Sequence, residues 1–126
     1  MLQINLSGGE PIYQQLREQV IRFACIGVLK PGEQLPSVRS VARELGINPN
    51  TVAKAYAELE RDGIIYSAAG KGSFVAENIL SLSAVRSDVL SDFVKAARKA
   101  MQLGITKQEL ENTLRQLDAA EGGNER

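Results

Sequence analysis

The sequence has no histidine, no tryptophan and a single cysteine among its 126 residues. Without an imidazole, the commonest general acid/base near neutral pH is missing, and Cys/His zinc sites go with it, so neither a metal nor another cofactor is expected. One cysteine cannot form an internal disulfide. Cys25 lies among Phe23, Ala24 and Ile26, which marks it as a small hydrophobe rather than an activated thiol. Net charge is lacking too: 15 basic and 15 acidic side chains cancel, so attraction to a polyanion has to come from local clustering. The longest apolar run, Phe23 to Leu29, is interrupted by Gly27 and falls far short of the ~20 residues that span a bilayer. The opening residues, Met1 to Ser7, have neither the basic start nor the apolar stretch of a signal peptide, and the expectation is a cytoplasmic protein with no membrane partner.

What is present is an ordinary globular composition, 44% hydrophobic and 24% charged, at a length that suits one domain or a small domain with an appendage. Pro11 is suited to a first helical position, and Ile12, Leu16, Val20 and Phe23 follow at helical spacing, predicting a helix from Pro11 to Cys25. Pro31-Gly32 reads as a turn and Pro36 as an extended approach. Ser37 can then cap a short helix with an apolar stripe of Val38, Val41, Ala42 and Leu45, stopped by Gly46. Asn48 and Pro49 open a third helix with Val52, Ala55, Tyr56 and Leu59 on one face, closed by Gly63. Two short helices joined by Gly46-Ile47-Asn48 describe a helix-turn-helix. Ile64-Ile65-Tyr66 and Ser73-Phe74-Val75, around the glycine-rich Ala69 to Gly72, predict a β-hairpin. Three helices and a hairpin make a winged helix, so the fold class is mainly α with a small hairpin.

The polar stretch Ala76 to Asn78 reads as a boundary, dividing the chain into a head at 1–78 and a helical tail at 79–126. From about Leu80 to Leu103, two adjacent apolar stripes cover one helix, the first with Leu82, Val85, Val89, Phe93 and Ala100, the second with Leu90, Val94, Ala97 and Met101. Gly104 ends it. Thr106 with Glu109 forms a capping box, and Ile105 with Leu110 a hydrophobic staple, so a last helix carrying Leu110, Leu114 and Leu117 starts there; Glu121 to Arg126 should fray. The short last helix cannot cover so wide a face. Either a second copy does, giving a homodimer through Leu82, Val85, Val89, Leu90, Phe93, Val94, Ala97, Met101, Leu110, Leu114 and Leu117, or the tail wraps back on the head as a monomer.

A helix-turn-helix points to the DNA major groove, with the third helix as reader. Asn50, Thr51, Ala53 and Lys54 lie on its outward side, and Arg39 and Arg43 share an exposed face of the second helix, which serves either to pair with phosphates or guanine or simply as a solvated face. From Ser37 to Lys54 three basic residues against Glu44 give a local charge of plus two. Asn48 is a helix cap first and a DNA contact second. Lys71, between Gly70 and Gly72, allows close backbone approach to a groove or phosphate. The run Gly70-Lys71-Gly72-Ser73 is not a phosphate loop, since Ile65 stands at the first glycine position and Gly72 at the hydroxyl position. Glu58, Glu60 and Asp62 are interleaved with Arg61 and read as a solvated helix end. No catalytic constellation remains, and an enzyme is not expected.

Pro11-Ile12-Tyr13-Gln14-Gln15-Leu16, Leu35-Pro36-Ser37-Val38-Arg39, Asn48-Pro49-Asn50-Thr51-Val52 with Lys54-Ala55-Tyr56 and Glu58-Leu59-Glu60, and Gly70 to Val75 together resemble the GntR family of bacterial transcription regulators, over about residues 11 to 76. The short helical tail looks like the YtrA-type branch, whose members are dimers that often repress operons encoding ABC transporters. The resemblance implies that Arg39, Arg43, Asn50, Thr51 and the wing at Gly70 to Gly72 touch DNA; Ser37, Asn48, Lys54 and Lys71 complete the candidate surface. The sequence departs from the family pattern at Ala53, where arginine is common, and at Ala68 and Ala69, where basic residues are. Fewer charges mean fewer neutralised phosphates and a shallower salt dependence. The expectation is a dimeric repressor on an inverted-repeat operator in double-stranded DNA, with a winged-helix adaptor that binds protein rather than DNA as the competing class. No residue pattern names the operator sequence or a small-molecule effector.

Overall fold

The computed structural model describes residues 2–78 and 80–122. Helix α1 (Ile12–Cys25) buries Leu16, Val20 and Ala24. Ile12 and Phe23 are only half-buried at the edge of the core, so the inward line passes one residue beyond Phe23. Pro11 stands just outside the helix as its N-cap, one residue short of the expected first helical position, with φ −55° and ψ 146°. Cys25 is free and half-buried.

Helices α2 (Val38–Leu45) and α3 (Pro49–Arg61) begin on the caps that the sequence predicts. Ser37 Oγ accepts from the Ser40 amide at 3.0 Å, and Asn48 Oδ1 from the Asn50 amide at 2.8 Å, each satisfying a helix-end donor that has no partner inside the helix. Between them Gly46 takes φ +68°, a left-handed conformation that costs any residue with a Cβ, and this ends α2 within one residue. Helix α3 buries Val52, Ala55, Tyr56 and Leu59, the four residues of its apolar face, against α1 and α2.

Strands β1 (Ile65–Ala68) and β2 (Gly72–Val75) pair antiparallel, with Ile65 opposite Val75 and Ala68 opposite Gly72. The strands sit slightly off the expected runs: Ile64 is buried but precedes β1, which extends to Ala68 instead. Residues 32–35 line the other edge of β2. Gly32 N–H donates to Val75 O, Val75 N–H to Glu33 O and Leu35 N–H to Ser73 O, each at 2.8 Å. The expected turn and extended approach are therefore a third rib of the wing.

The N-terminal residues, which carried no sequence signal, are strapped to α1 by two glutamines. Gln15 holds the backbone of Asn5 through both ends of its amide, accepting from Asn5 N–H at 2.7 Å and donating to Asn5 O at 3.0 Å. Gln19, one helical turn on, accepts from Gln3 N–H at 2.9 Å and donates to Gln3 O. With alternate residues gripped in this way, Leu2 enters the core and Ile4 packs at its edge.

Helix α4 (Leu80–Gln102) ends before Gly104, at φ +92°, and α5 (Lys107–Gly122) opens on the expected capping box: Thr106 N–H donates to Glu109 Oε2 at 2.8 Å and Glu109 N–H to Thr106 Oγ1 at 3.1 Å. Helix α5 persists through Gly122, and the rest of the stretch expected to fray, 123–126, lies outside the described residues. The chain divides into two compact units, Met1–Arg86 and Ser87–Arg126, so the division falls inside α4 rather than after Asn78. The reason is packing. Leu82 and Val85, grouped by the sequence with the tail's interface, are half-buried against the core of the first unit, which therefore claims the first turns of α4. Among the described residues no helix is long and apolar enough to cross a membrane.

Candidate nucleic-acid interface

Helix α3, the expected reader, is fixed from behind by packing and from its start by a cap, leaving its other face to solvent. Asn50, Ala53 and Lys54 are exposed and Thr51 is half-buried, its amide spent on Asn48 O at 3.0 Å. The Asn48 side-chain oxygen is engaged in the cap, and Ser37 Oγ, though it accepts from Ser40, keeps a hydroxyl hydrogen to donate. Arg39 and Arg43 extend from α2 into solvent. With Ala42, Ile47 and Pro49 they line a shallow concavity of about 320 Å³ beside the start of α3. The structure thus brings the two arginines and the N-terminal end of α3 to one surface.

Lys54 is less free than its outward position suggests: its Nζ lies 3.9 Å from the centroid of the Tyr13 ring, at the start of α1. No sequence signal marks this contact, since the two residues meet only through the packing of α1 on α3.

The wing tip is built from three residues between the strands, closed by Lys71 N–H donating to Ala68 O at 2.9 Å, with Gly70 at φ +73°. Lys71 itself is exposed. Its carbonyl accepts from Gln34 Nε2 at 2.8 Å, so the rib at 32–35 holds the tip through a side chain. Gly72 has φ +112°, a backbone that requires glycine, and a Cβ there would stand 2.9 Å from the same Nε2, so the Gln34 side chain would have to shift away from Lys71 O. Gln34 was not among the sequence-predicted site residues. On the hairpin surface Tyr66 stacks on Phe74 with ring centroids 5.5 Å apart, stiffening the paired strands.

Of the carboxylates read as a solvated helix end, Glu60 is exposed, whereas Glu58 and Asp62 are engaged by α1. Arg17 of α1 reaches Asp62 Oδ2 at 2.9 Å and Glu58 Oε1 at 3.7 Å, and its hydrogen bond, followed by that of Arg61, holds the Asp62 carboxyl below the usual range. Glu58 and Asp62 thus tie α3 and its C-cap to α1.

In the second unit no described side chain is buried. Val89, Leu90, Phe93, Val94, Met101, Leu114 and Leu117 are exposed, Leu90 at 63% and Leu117 at 56%, while Ala97 and Leu110 are half-buried. Phe93, Val94, Ala97 and Met101, with Arg98 and Gln102, line an apolar hollow of about 550 Å³ on α4.

This arrangement matches known proteins. Residues 9–75 fit the family of bacterial regulatory proteins, gntR family. Over 78 residues, 62% of this chain and 60% of the relative, the sequence is 47% identical to the HTH-type transcriptional repressor YtrA of Bacillus subtilis. It is 38% identical over 106 residues, 84% of each chain, to the HTH-type transcriptional regulator Rv1152 of Mycobacterium tuberculosis. The crystal structure of a transcriptional regulator from Oenococcus oeni superposes with a TM-score of 0.73 at 30% identity, covering 93% of this chain and 98% of the other. The described residues form five helices and a two-stranded hairpin, the mainly helical winged-helix architecture that the sequence predicts. The chain belongs to the gntR family of bacterial regulatory proteins and is a DNA-binding transcription regulator.

Proposed function

We propose that the protein is a cytoplasmic, dimeric repressor that reads an inverted-repeat operator in double-stranded DNA. Helix α3 enters the major groove with Asn50, Thr51 and Lys54, α2 brings Arg39 and Arg43 to its rim, and the wing at Gly70 to Gly72 lies along the neighbouring backbone. The observation that carries this reading is the exposed surface on which Arg39 and Arg43 flank the capped start of α3. A related winged helix, the DNA-binding domain of AraR in complex with operator ORX1, covers 60% of this chain at 28% identity and a TM-score of 0.54. Repression follows the relative YtrA, and resemblance to the YtrA-type branch extends the proposal to an operon encoding an ABC transporter.

The tail supplies the dimer in this reading. Helices with no buried side chain and a wide apolar face are marginal alone in water, and a second copy offers the same surface in reverse, as a two-fold interface requires. Val89, Leu90, Phe93, Val94, Ala97, Met101, Leu110, Leu114 and Leu117 form it, whereas Leu82 and Val85 serve the head. Fluorescence anisotropy with a duplex from the promoter of the protein's own operon, against a scrambled duplex of equal length, tests the proposal. Tight salt-dependent binding to the first is expected. Equal weak binding to both, or none, favours the protein-interaction adaptor, to which Ala53, Ala68 and Ala69 lend their missing charges.

A further inference from the structure

The ammonium of Lys54 rests 3.9 Å from the centre of the Tyr13 ring. Tyr13 is half-buried and packed at the edge of the head's core, so the ring is held by the fold, while Lys54 is exposed. A lysine stem has four flexible carbons and would otherwise sample many conformers; an aromatic face that attracts the cation narrows them before any ligand arrives. The contact leans Lys54 away from the axis of α3 and towards α1. With α3 docked in the major groove as proposed above, a side chain pointing into the groove floor would meet base edges, and one leaning towards a flanking helix would face the groove wall, where the phosphates are. The ammonium keeps N–H donors free on the side away from the ring, and as a point charge it suits a phosphate oxygen.

We propose that Tyr13 is a positioning residue for DNA binding, its ring holding the Lys54 ammonium beside α3 for a backbone phosphate. The inference rests on the assignment of Lys54 to the DNA surface above and adds a residue of α1 that touches no base.

The test is a set of anisotropy titrations of the full chain, on the promoter duplex and the scrambled duplex, across a range of NaCl concentrations. Lys54→Ala weakens binding to both duplexes and lowers the log–log salt slope by about 0.9, the loss of one phosphate contact. Tyr13→Leu keeps apolar bulk without the ring; it weakens both about two- to fivefold, the range of an exposed cation–π contact, and leaves the slope unchanged because the charge is still there. Tyr13→Phe restores wild-type binding, and Tyr13→Leu adds nothing in a Lys54→Ala background. A ring-current shift of the Lys54 ε-methylene protons, present in the wild type and in Tyr13→Phe, reports the contact directly, and its absence from the wild type overturns the proposal even if Tyr13→Leu fails to fold. The proposal also falls if Tyr13→Leu binds as wild type, if its loss persists in the Lys54→Ala background, or if Tyr13→Phe is as weak. An unchanged affinity and slope for Lys54→Ala alone would instead remove Lys54 from the interface, and Tyr13 with it.

Discussion

Tyr56 Oη donates to the Pro36 carbonyl oxygen at 2.6 Å, tying the inner face of α3 to the extended segment from which α2 begins. Burial pushes the Tyr56 phenol up from its ordinary 10.0 to about 12, which keeps the donor protonated in the folded state. The unfolded chain loses this proton near pH 10 and the folded chain near pH 12, so the unfolded state binds fewer protons between them and stability falls as pH rises. Below that window the contribution is intact. The full loss amounts to about 2–3 kcal/mol at about 1.4 kcal/mol per unit. Denaturant unfolding at stepped pH should show Tyr56→Phe with a flatter alkaline decline than wild type, at a neutral-pH cost of about 0.5–1.5 kcal/mol for the lost bond.

The wing offers a test of coupling. Gly72→Ala should destabilise the head by more than about 1 kcal/mol, because φ +112° suits no side chain and the new Cβ meets Gln34 Nε2. In a Gln34→Ala background only the backbone part of that cost remains, so thermal unfolding should show the second substitution costing less than it does alone. Gln34→Ala by itself releases the Lys71 carbonyl and should weaken DNA binding with little change in melting, since the bond it removes is exposed.

Most of the head is legible in the sequence because its signals are local. Ser37, Asn48 and Pro49 mark helix ends through their own side chains and Gly46 through the lack of one, and the inward faces of α2 and α3 follow from spacing alone. Contacts between distant segments leave no such trace. The glutamine straps from Gln15 and Gln19, the rib at 32–35 that Gln34 anchors to the wing, and the ring of Tyr13 under Lys54 all depend on tertiary packing. Leu82 and Val85 show the same limit from the other side: periodicity places them on one stripe with Val89 and Phe93, but it cannot say that two turns of one helix serve different units.

Arg39 and Arg43 are exposed and outside the core, so Arg39→Ala and Arg43→Ala should leave the melting temperature unchanged. Each should weaken binding to the promoter duplex. A lost base contact costs about 1–3 kcal/mol on that duplex and relaxes discrimination, whereas a lost phosphate contact weakens promoter and scrambled duplexes alike and flattens the salt slope. Paired anisotropy titrations assign each arginine to one role. Unchanged binding of both variants to both duplexes would move the interface away from this surface.

The division inside α4 distinguishes two truncations of the tail. A chain ending at Asn78 and a chain ending at Arg86 both lose Phe93, Val94 and Met101, and in the proposed assembly both should sediment as monomers. They should differ in stability. The shorter chain also loses Leu82 and Val85 from the edge of the head's core. A fully buried side chain of this kind contributes about 1.5–3 kcal/mol, so two half-buried ones should cost the shorter head a comparable total and lower its melting temperature below that of the longer. Their DNA binding should fall together, because an unlinked head forfeits the effective concentration of its partner, worth about 10²- to 10⁴-fold. Phe93→Asp in the full chain, a charge on the exposed apolar face of α4, should reproduce the loss of dimer and of tight binding without the loss of head stability. A truncated chain that still sediments as a dimer would place the interface on the head and leave the apolar face of α4 for another partner.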